Sequence, residues 1–277
     1  MSDQPAAGQP LRLMAVLAHP DDESLGIGGT LAKYAAEGVE TYLVTATRGE
    51  RGWRGDPADD PGLEAFGRLR EAELRAAAQA LSLREVNFLN YIDGDFDQAD
   101  PAGAIGQIAG HLRRVRPHVV VTFGPEGAYG HPDHIAACQF TTAAVLAAGD
   151  PGYRPDLPHP PHAVSKLYYM AETPEGMKLY TSLFGDLVMH VDGVARTWPG
   201  WPDWFMTTRL DVDAHWHAAL SAILCHTSQI GAVHNLVELC ELNHHELLGR
   251  QYFYRAMSLV NGGRAVEDDL FQGLRPA

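Results

Sequence analysis

The chain has 277 residues, 45% of them hydrophobic and 20% charged, enough for one domain with a sizeable core. Its formal net charge of −14 argues against nucleic acid or an anionic membrane surface as partners, because both need a basic face. No apolar run approaches the roughly 20 residues that span a bilayer. The opening "MSDQPAAGQP" lacks the basic start and apolar core of a signal peptide. Cys138, Cys225 and Cys240 form no CxxC pair, so a reduced, cytoplasmic setting is expected.

Residues 11–18 are an almost continuous apolar run, the pattern of a strand covered on both faces. A helix is predicted from Ser24 to Glu37, closed by Gly38, and a second strand in "VETYLVTAT". A longer helix follows over residues 62–81, then a weak strand in "VNFLN", a helix over 104–116 and a clear strand in "HVVVTFG". This alternation predicts an α/β fold, with a Rossmann-like, mostly parallel sheet and helices on both faces. In such sheets ligands collect beyond the carboxyl ends of the strands. Residues 149–162 are proline-rich and read as a linker. Beyond them come a strand over 164–171, a helix over 174–187, a strand over 207–213 and a helix over 214–226. The whole chain, 1–277, reads as a single domain: a metal-site core (11–148), a variable substrate lip (150–206) and a smaller C-terminal α/β portion (207–260). The tail after Val260 reads as polar and peripheral.

Chemistry concentrates at two strand ends. With 14 histidines in the chain, any single one is weak evidence of a ligand. His19 and Asp22 differ because they stand three apart where a turn can aim both at one point, and His131 and His134 repeat that spacing in "HPDH". A histidine, a carboxylate and a second histidine leave a fourth position open, as in catalytic zinc sites. Spacing leaves open which of His131 and His134 is bound. Helix capping accounts for one acid of "DDE" but not for two clusters of the same shape. The glycines of "GIGGT" lack the sixth-position glycine of a dinucleotide site, where Leu31 stands, and the acids upstream would repel a pyrophosphate. Close packing of the helix on the sheet is the better reading for them.

"AHPDDE" (18–23) and "GHPDH" (130–134), with "TRGE" (47–50), the arginine and glutamate of "RLREAEL", and "HTSQ" (226–229), resemble the LmbE-like/PIG-L family of zinc-dependent N-deacetylases. The resemblance is strong over 11–148 and weak over 207–229. It implies one Zn²⁺ per chain held by His19, Asp22 and His134, with Asp21 as general base. A protonated His131, oriented by Asp133, and the Tyr129 hydroxyl would stabilise the oxyanion, and Arg70 would contact substrate. Ile135 departs from the pattern, since many relatives have arginine there. The implied activity is removal of an acetyl group from a small N-acetylglucosamine-type sugar or glycoside. A homo-oligomer is left open. Amide cleavage of a thiol conjugate, a nucleotide-using Rossmann-like enzyme and a metal-dependent sugar-binding module are the rival readings. Residues 150–206 match nothing in the pattern. There Trp198, Trp201 and Trp204 are broken by prolines and a glycine and so belong to a loop. Trp201 and Trp204 are expected to stack on a sugar or apolar aglycone, against the reading of a satellite core under the loop.

Overall fold

The computed structural model describes residues 9–154, 157–230, 235–260 and 265–275. Five strands run parallel: β1 (Arg12–Leu17), β2 (Glu40–Thr45), β3 (Glu85–Phe88), β4 (Val119–Thr122) and β5 (Lys166–Ala171). A separate antiparallel hairpin pairs β6 (Met189–Val191) with β7 (Val194–Arg196). β8 (Thr208–Asp211) and β9 (Arg250–Ser258) return to the main sheet antiparallel, giving the order β3-β2-β1-β4-β5-β9-β8. Leu13, Met14 and Ala15 of β1 and Val119, Val120 and Val121 of β4 are all 0% exposed, as central parallel strands require.

The connecting helices are α1 (Asp22–Ala36), α2 (Leu63–Ala80), α3 (Pro101–Val115), the one-turn α4 (Gly127–Gly130), α5 (Pro132–Gly149), α6 (Pro174–Phe184) and α7 (Trp216–Cys225). α3 packs on α5, and α1 and α2 both pack on α7. The glycines of "GIGGT" serve that packing. A Cβ on Gly28 would lie 3.2 Å from that of Ala219 in α7, and one on Gly29 only 2.6 Å from Val212 Cγ2. Gly28 and Gly29 thus approach α7 and the end of β8, while Gly26 approaches the sheet, where a Cβ would lie 3.2 Å from Met170 Cε in β5. Among the described residues, no helix is long and apolar enough to cross a membrane.

The chain runs from β1 outward to β3, then crosses to β4 on the other side of β1. Strand order therefore reverses between β1 and β4, and a crevice opens beyond their carboxyl ends. Two corrections to the sequence reading lie at the other edge. β9 fills a place between β5 and β8 for which no strand was expected. The tail is not peripheral, because Leu270 and Phe271 are 0% exposed and Phe271 meets Tyr34 edge to face at 5.0 Å.

Candidate active site

The site begins where β1 ends. Asp21 adopts φ 111°, ψ −27°, a left-handed conformation that costs a residue with a Cβ about 1–3 kcal/mol. The turn folds the Asp22 carboxylate back onto the strand end, where its Oδ2 accepts from the backbone N–H groups of His19 (2.7 Å) and Ala18 (3.2 Å). Asp21 Oδ2 instead accepts from Arg70 Nη2 at 3.0 Å. Arg70 is 3% exposed and also donates to the carbonyls of Gly49 and Pro20.

The second cluster follows β4. Pro132 opens α5 at a position where a missing N–H costs nothing, and His131 caps the helix by accepting the Asp133 N–H on its Nδ1 at 3.2 Å. His134 then sits in the first turn, with its ring stacked on Phe123 at 3.9 Å. Tyr129 stands edge-on to His134 (5.5 Å) and His131 (6.0 Å). Ile135, where an arginine is common in the pattern, packs under the turn: a Cβ on Gly127 would lie 2.7 Å from its Cγ1.

The crevice brings the two clusters together. His19 Nδ1 lies 3.1 Å from His134 Nε2, while Asp22 oxygens stand 3.7 Å from His19 Nδ1 and 3.4 Å from His134 Nε2. On its other side, His19 Nε2 meets Asp133 Oδ2 (3.2 Å) and Asp93 Oδ1 (3.1 Å). Asp133 is fully buried and also accepts from the N–H groups of Gly94 and Phe96. Its carboxylate thus orients His19, and it meets the His131 ring through its backbone N–H. This differs from the expected role of Asp133 as the orienter of His131.

Charge follows from this crowding. Burial alone would push His19 down, but the Asp133 and Asp93 carboxylates outweigh it and raise the ring to about 10. Burial pushes the Asp22 carboxyl up to about 7 against the pull of His19. His134 is held well below its ordinary value by burial and by the neighbouring His19 and His131, so its lone pair is free to ligate. Burial and the His19 charge push His131 down to about 4. Because Nδ1 already accepts a backbone N–H, the ring's own proton sits on Nε2, which is a donor.

These residues fit a metal ion. The ring nitrogens of His19, His131 and His134 lie within 4.8 Å of one another, as do the donor atoms of His19, Asp93 and Asp133. The buried carboxylates of Asp93 and Asp133 and the half-buried one of Asp22 converge on His19, and a proton there supplies positive charge that a cation can supply instead. The Nε2 contact with Asp133 and Asp93 is the carboxylate–histidine support found behind metal ligands.

The family model for GlcNAc-PI de-N-acetylases, PIG-L, matches residues 14–145. A 1D-myo-inositol 2-acetamido-2-deoxy-alpha-D-glucopyranoside deacetylase of Streptomyces scabiei is 34% identical over 317 aligned positions, covering 99% of this chain and 94% of that one. The chain belongs to the PIG-L family. A conserved protein of Thermus thermophilus shares the fold at 26% identity and TM-score 0.64, over 91% of this chain and 97% of that one. An N,N'-diacetylchitobiose deacetylase of Pyrococcus horikoshii superposes with TM-score 0.67 over 88% of this chain and 83% of that one, at 19% identity, which speaks for the fold alone. The protein is an N-deacetylase of amino-sugar substrates, and its His/Asp group can hold a metal.

Sequence reasoning missed several residues here. Asp93 lies in "DGDFD", an acidic cluster just after β3, and its place at a parallel strand end was the signal. Glu50 of "TRGE" accepts the Asp93 N–H at 3.2 Å. Trp198 is the tryptophan that lines the cleft next to the site, together with Phe123, Glu126, Tyr129 and Met170. Trp201 and Trp204 lie outside that lining. Trp201 stacks on Phe205 at 4.1 Å, and Phe205 on Tyr254 at 4.2 Å, while Trp204 is 83% exposed. The aromatic run is therefore mainly a small stacked cluster, with one ring turned to the cleft.

Proposed function

We propose that the protein is a zinc-dependent deacetylase of an N-acetylglucosaminyl glycoside of the GlcNAc–inositol kind named for its relatives. The observation that carries this reading is the meeting of His19 Nδ1, Asp22 and His134 Nε2 at one point beside Asp21. His19, Asp22 and His134 would hold one Zn²⁺, with the fourth position left to the reactants. Zinc, when bound, supplies Lewis acidity that polarises a carbonyl and makes water more acidic.

The chain's own groups divide the rest of the work. Asp21, adjacent to a ligand but turned to Arg70, takes the proton of the attacking water as general base and returns it to the leaving amine. Burial raises its carboxyl while Arg70 opposes that rise, which brings the base toward its working range. The Nε2–H of neutral His131 donates to the oxyanion. Burial and the nearby Asp22 and Asp21 carboxylates raise the Tyr129 hydroxyl, so it remains a protonated donor for the same oxygen. Asp133 and Asp93 fix the His19 tautomer.

The aglycone would occupy the cleft between Tyr129 and Trp198, so the 150–206 region supplies one wall of the substrate site. Free Cys138, Cys225 and Cys240 fit a reducing cytoplasm. The test is metal analysis of the purified protein together with acetate release from N-acetylglucosamine, its inositol glycoside and a thiol-conjugated amide. Zinc near one per chain, with fastest release from the inositol glycoside, is expected. Cleavage of the thiol conjugate without acetate release would overturn the assignment.

A further inference from the structure

Asp21 is also tied to a buried pair that takes no part in these steps. Glu23 and His226 are both 0% exposed, and His226 Nε2 lies 2.8 Å from Glu23 Oε1. Ser24 Oγ donates to the same oxygen at 2.5 Å and stands 3.3 Å from His226 Nε2. The other carboxylate oxygen, Glu23 Oε2, accepts the backbone N–H of Asp21 at 3.1 Å. His226 is the residue that ends α7, and α7 is packed on α1, so the pair joins the two helices directly under the catalytic turn.

The peptide at Asp21 needs such support. Its φ of 111° is the largest positive value of any non-glycine among the described residues. At the N-terminus of α1 the Asp21 N–H has no helical carbonyl to bind. An unsupported residue with a Cβ would relax out of this conformation and carry its carboxylate with it. Glu23 gives the N–H an acceptor, yet a fully buried Glu23 carboxylate is itself unstable without a donor beside it. His226 and Ser24 are those donors.

We infer that Glu23 and His226 are a positioning pair for Asp21, holding its left-handed peptide so that the carboxylate stays aimed at the reaction centre. The inference rests on the reading of Asp21 as the base. His226 is not a catalytic residue here, since its hydrogen-bond contacts are Glu23 and Ser24 rather than the reacting atoms; burial raises the Asp21 carboxyl, and the His226 charge joins that of Arg70 in opposing the rise. A pair that merely glued α1 to α7 would change thermal stability and leave the chemistry of Asp21 alone.

A double-mutant cycle separates these cases. The metal-loaded enzyme is assayed on an N-acetylglucosaminyl glycoside as His226→Ala, His226→Gln, Asp21→Asn and the two doubles, with zinc content and Tm recorded for each. His226→Ala is expected to lower kcat by about 10- to 100-fold, the scale of a misplaced catalytic group, with KM and zinc content near wild type. His226→Gln, whose amide N–H can reach the Glu23 carboxylate, should recover most of that loss. In the Asp21→Asn background His226→Ala should have no further effect on kcat, because the group it positions is gone. The same fold-loss in both backgrounds overturns the inference, as does a rise in KM at unchanged kcat, or loss of zinc. Should His226→Ala fail to fold, Ser24→Ala replaces it in the cycle with a smaller loss, again confined to the Asp21 background. Full activity in Asp21→Asn alone would sink the base reading itself, a result distinct from failure of the cycle.

Discussion

Arg70 offers the sharpest test of Asp21 as the proposed base. Its guanidinium is buried and reaches Asp21 Oδ2 at 3.0 Å, so Arg70→Met removes the charge while keeping much of the side-chain volume. Burial already raises the Asp21 carboxyl, and Arg70 is the largest influence opposing that rise. Loss of a contacting opposite charge returns about 1–3 pKa units to a carboxylate. Each unit is worth about 1.4 kcal/mol. The base works as a carboxylate, so kcat rises with pH through its pKa, and raising the pKa moves that acid limb to higher pH. Arg70→Met should therefore shift the limb upward by about 1–3 units, with most of kcat restored on the alkaline side. Stability should fall by no more than a few kcal/mol, because Asp21 can protonate instead of standing as an unpaired buried charge. The assay is kcat against pH on zinc-loaded variant and wild type, with Arg70→Lys as a charge-retaining control. A uniform drop in kcat with the limb unmoved would refute this reasoning and return Arg70 to the direct substrate contact that the family resemblance implies.

Three further outcomes follow from the same geometry. Zinc content should collapse in His134→Ala but persist in His131→Ala and in Asp21→Asn, with kcat lowered about 10²-fold or more in the latter two; the opposite order for the two histidines would reassign the ligand. Trp198→Ala should raise KM for a glycoside while leaving KM for free N-acetylglucosamine and zinc content unchanged, whereas Trp204→Ala, at an 83% exposed ring, should change neither KM; equal effects of the two would remove Trp198 from the aglycone site. In metal-stripped protein His19 binds its proton more tightly folded than unfolded, its value being raised from 6.5 to about 10. Its stabilisation is then fully present below about pH 6.5 and is lost as pH rises through about 10, so urea midpoints should fall across that window and the slope should vanish on adding Zn²⁺; a flat profile in stripped protein would contradict it.

Much of the core was legible because parallel strands buried on both faces leave continuous apolar runs, as in β1 and β4. β9 was not, because its alternation is blurred: most of "RQYFYRAMS" is only half buried, although it lies inside the sheet. The tail looked peripheral because its buried residues, Leu270, Phe271 and Leu274, are few among polar neighbours and cover Tyr34 rather than forming a regular element. At the site, "AHPDDE" and "GHPDH" were readable since each carries its spacing within one turn. Asp93 and His226 were harder because each comes from another strand or helix end and gains meaning only through the residue it meets, His19 or Glu23. The three tryptophans share one spacing, and only tertiary packing shows that Trp198 is the one facing the cleft.

The run of three acids at the end of β1 finds its physical explanation in one dihedral angle. Had residues 21–23 continued in a single regular conformation, their carboxylates would have had to share whatever positive charge lay nearby. The φ of 111° at Asp21 breaks the run and sends the three side chains to three different partners. Asp22 turns back to the His19 and Ala18 N–H groups and the metal donors, Asp21 turns to Arg70, and Glu23 turns to His226 and Ser24. Each carboxylate is thereby matched to its own donor set, so mutual repulsion is answered locally rather than by one shared cation. The matching also suits the proposed division of roles between Asp22 and Asp21, since a ligand must stay ionised while a base must exchange its proton. Substituting Asp21 by glycine would relieve the strain and keep the turn, yet it would leave Arg70 facing the site with no carboxylate to hold. On the proposed assignment, strain at Asp21 is the cost of placing the base next to a ligand, and the surrounding donors offset it.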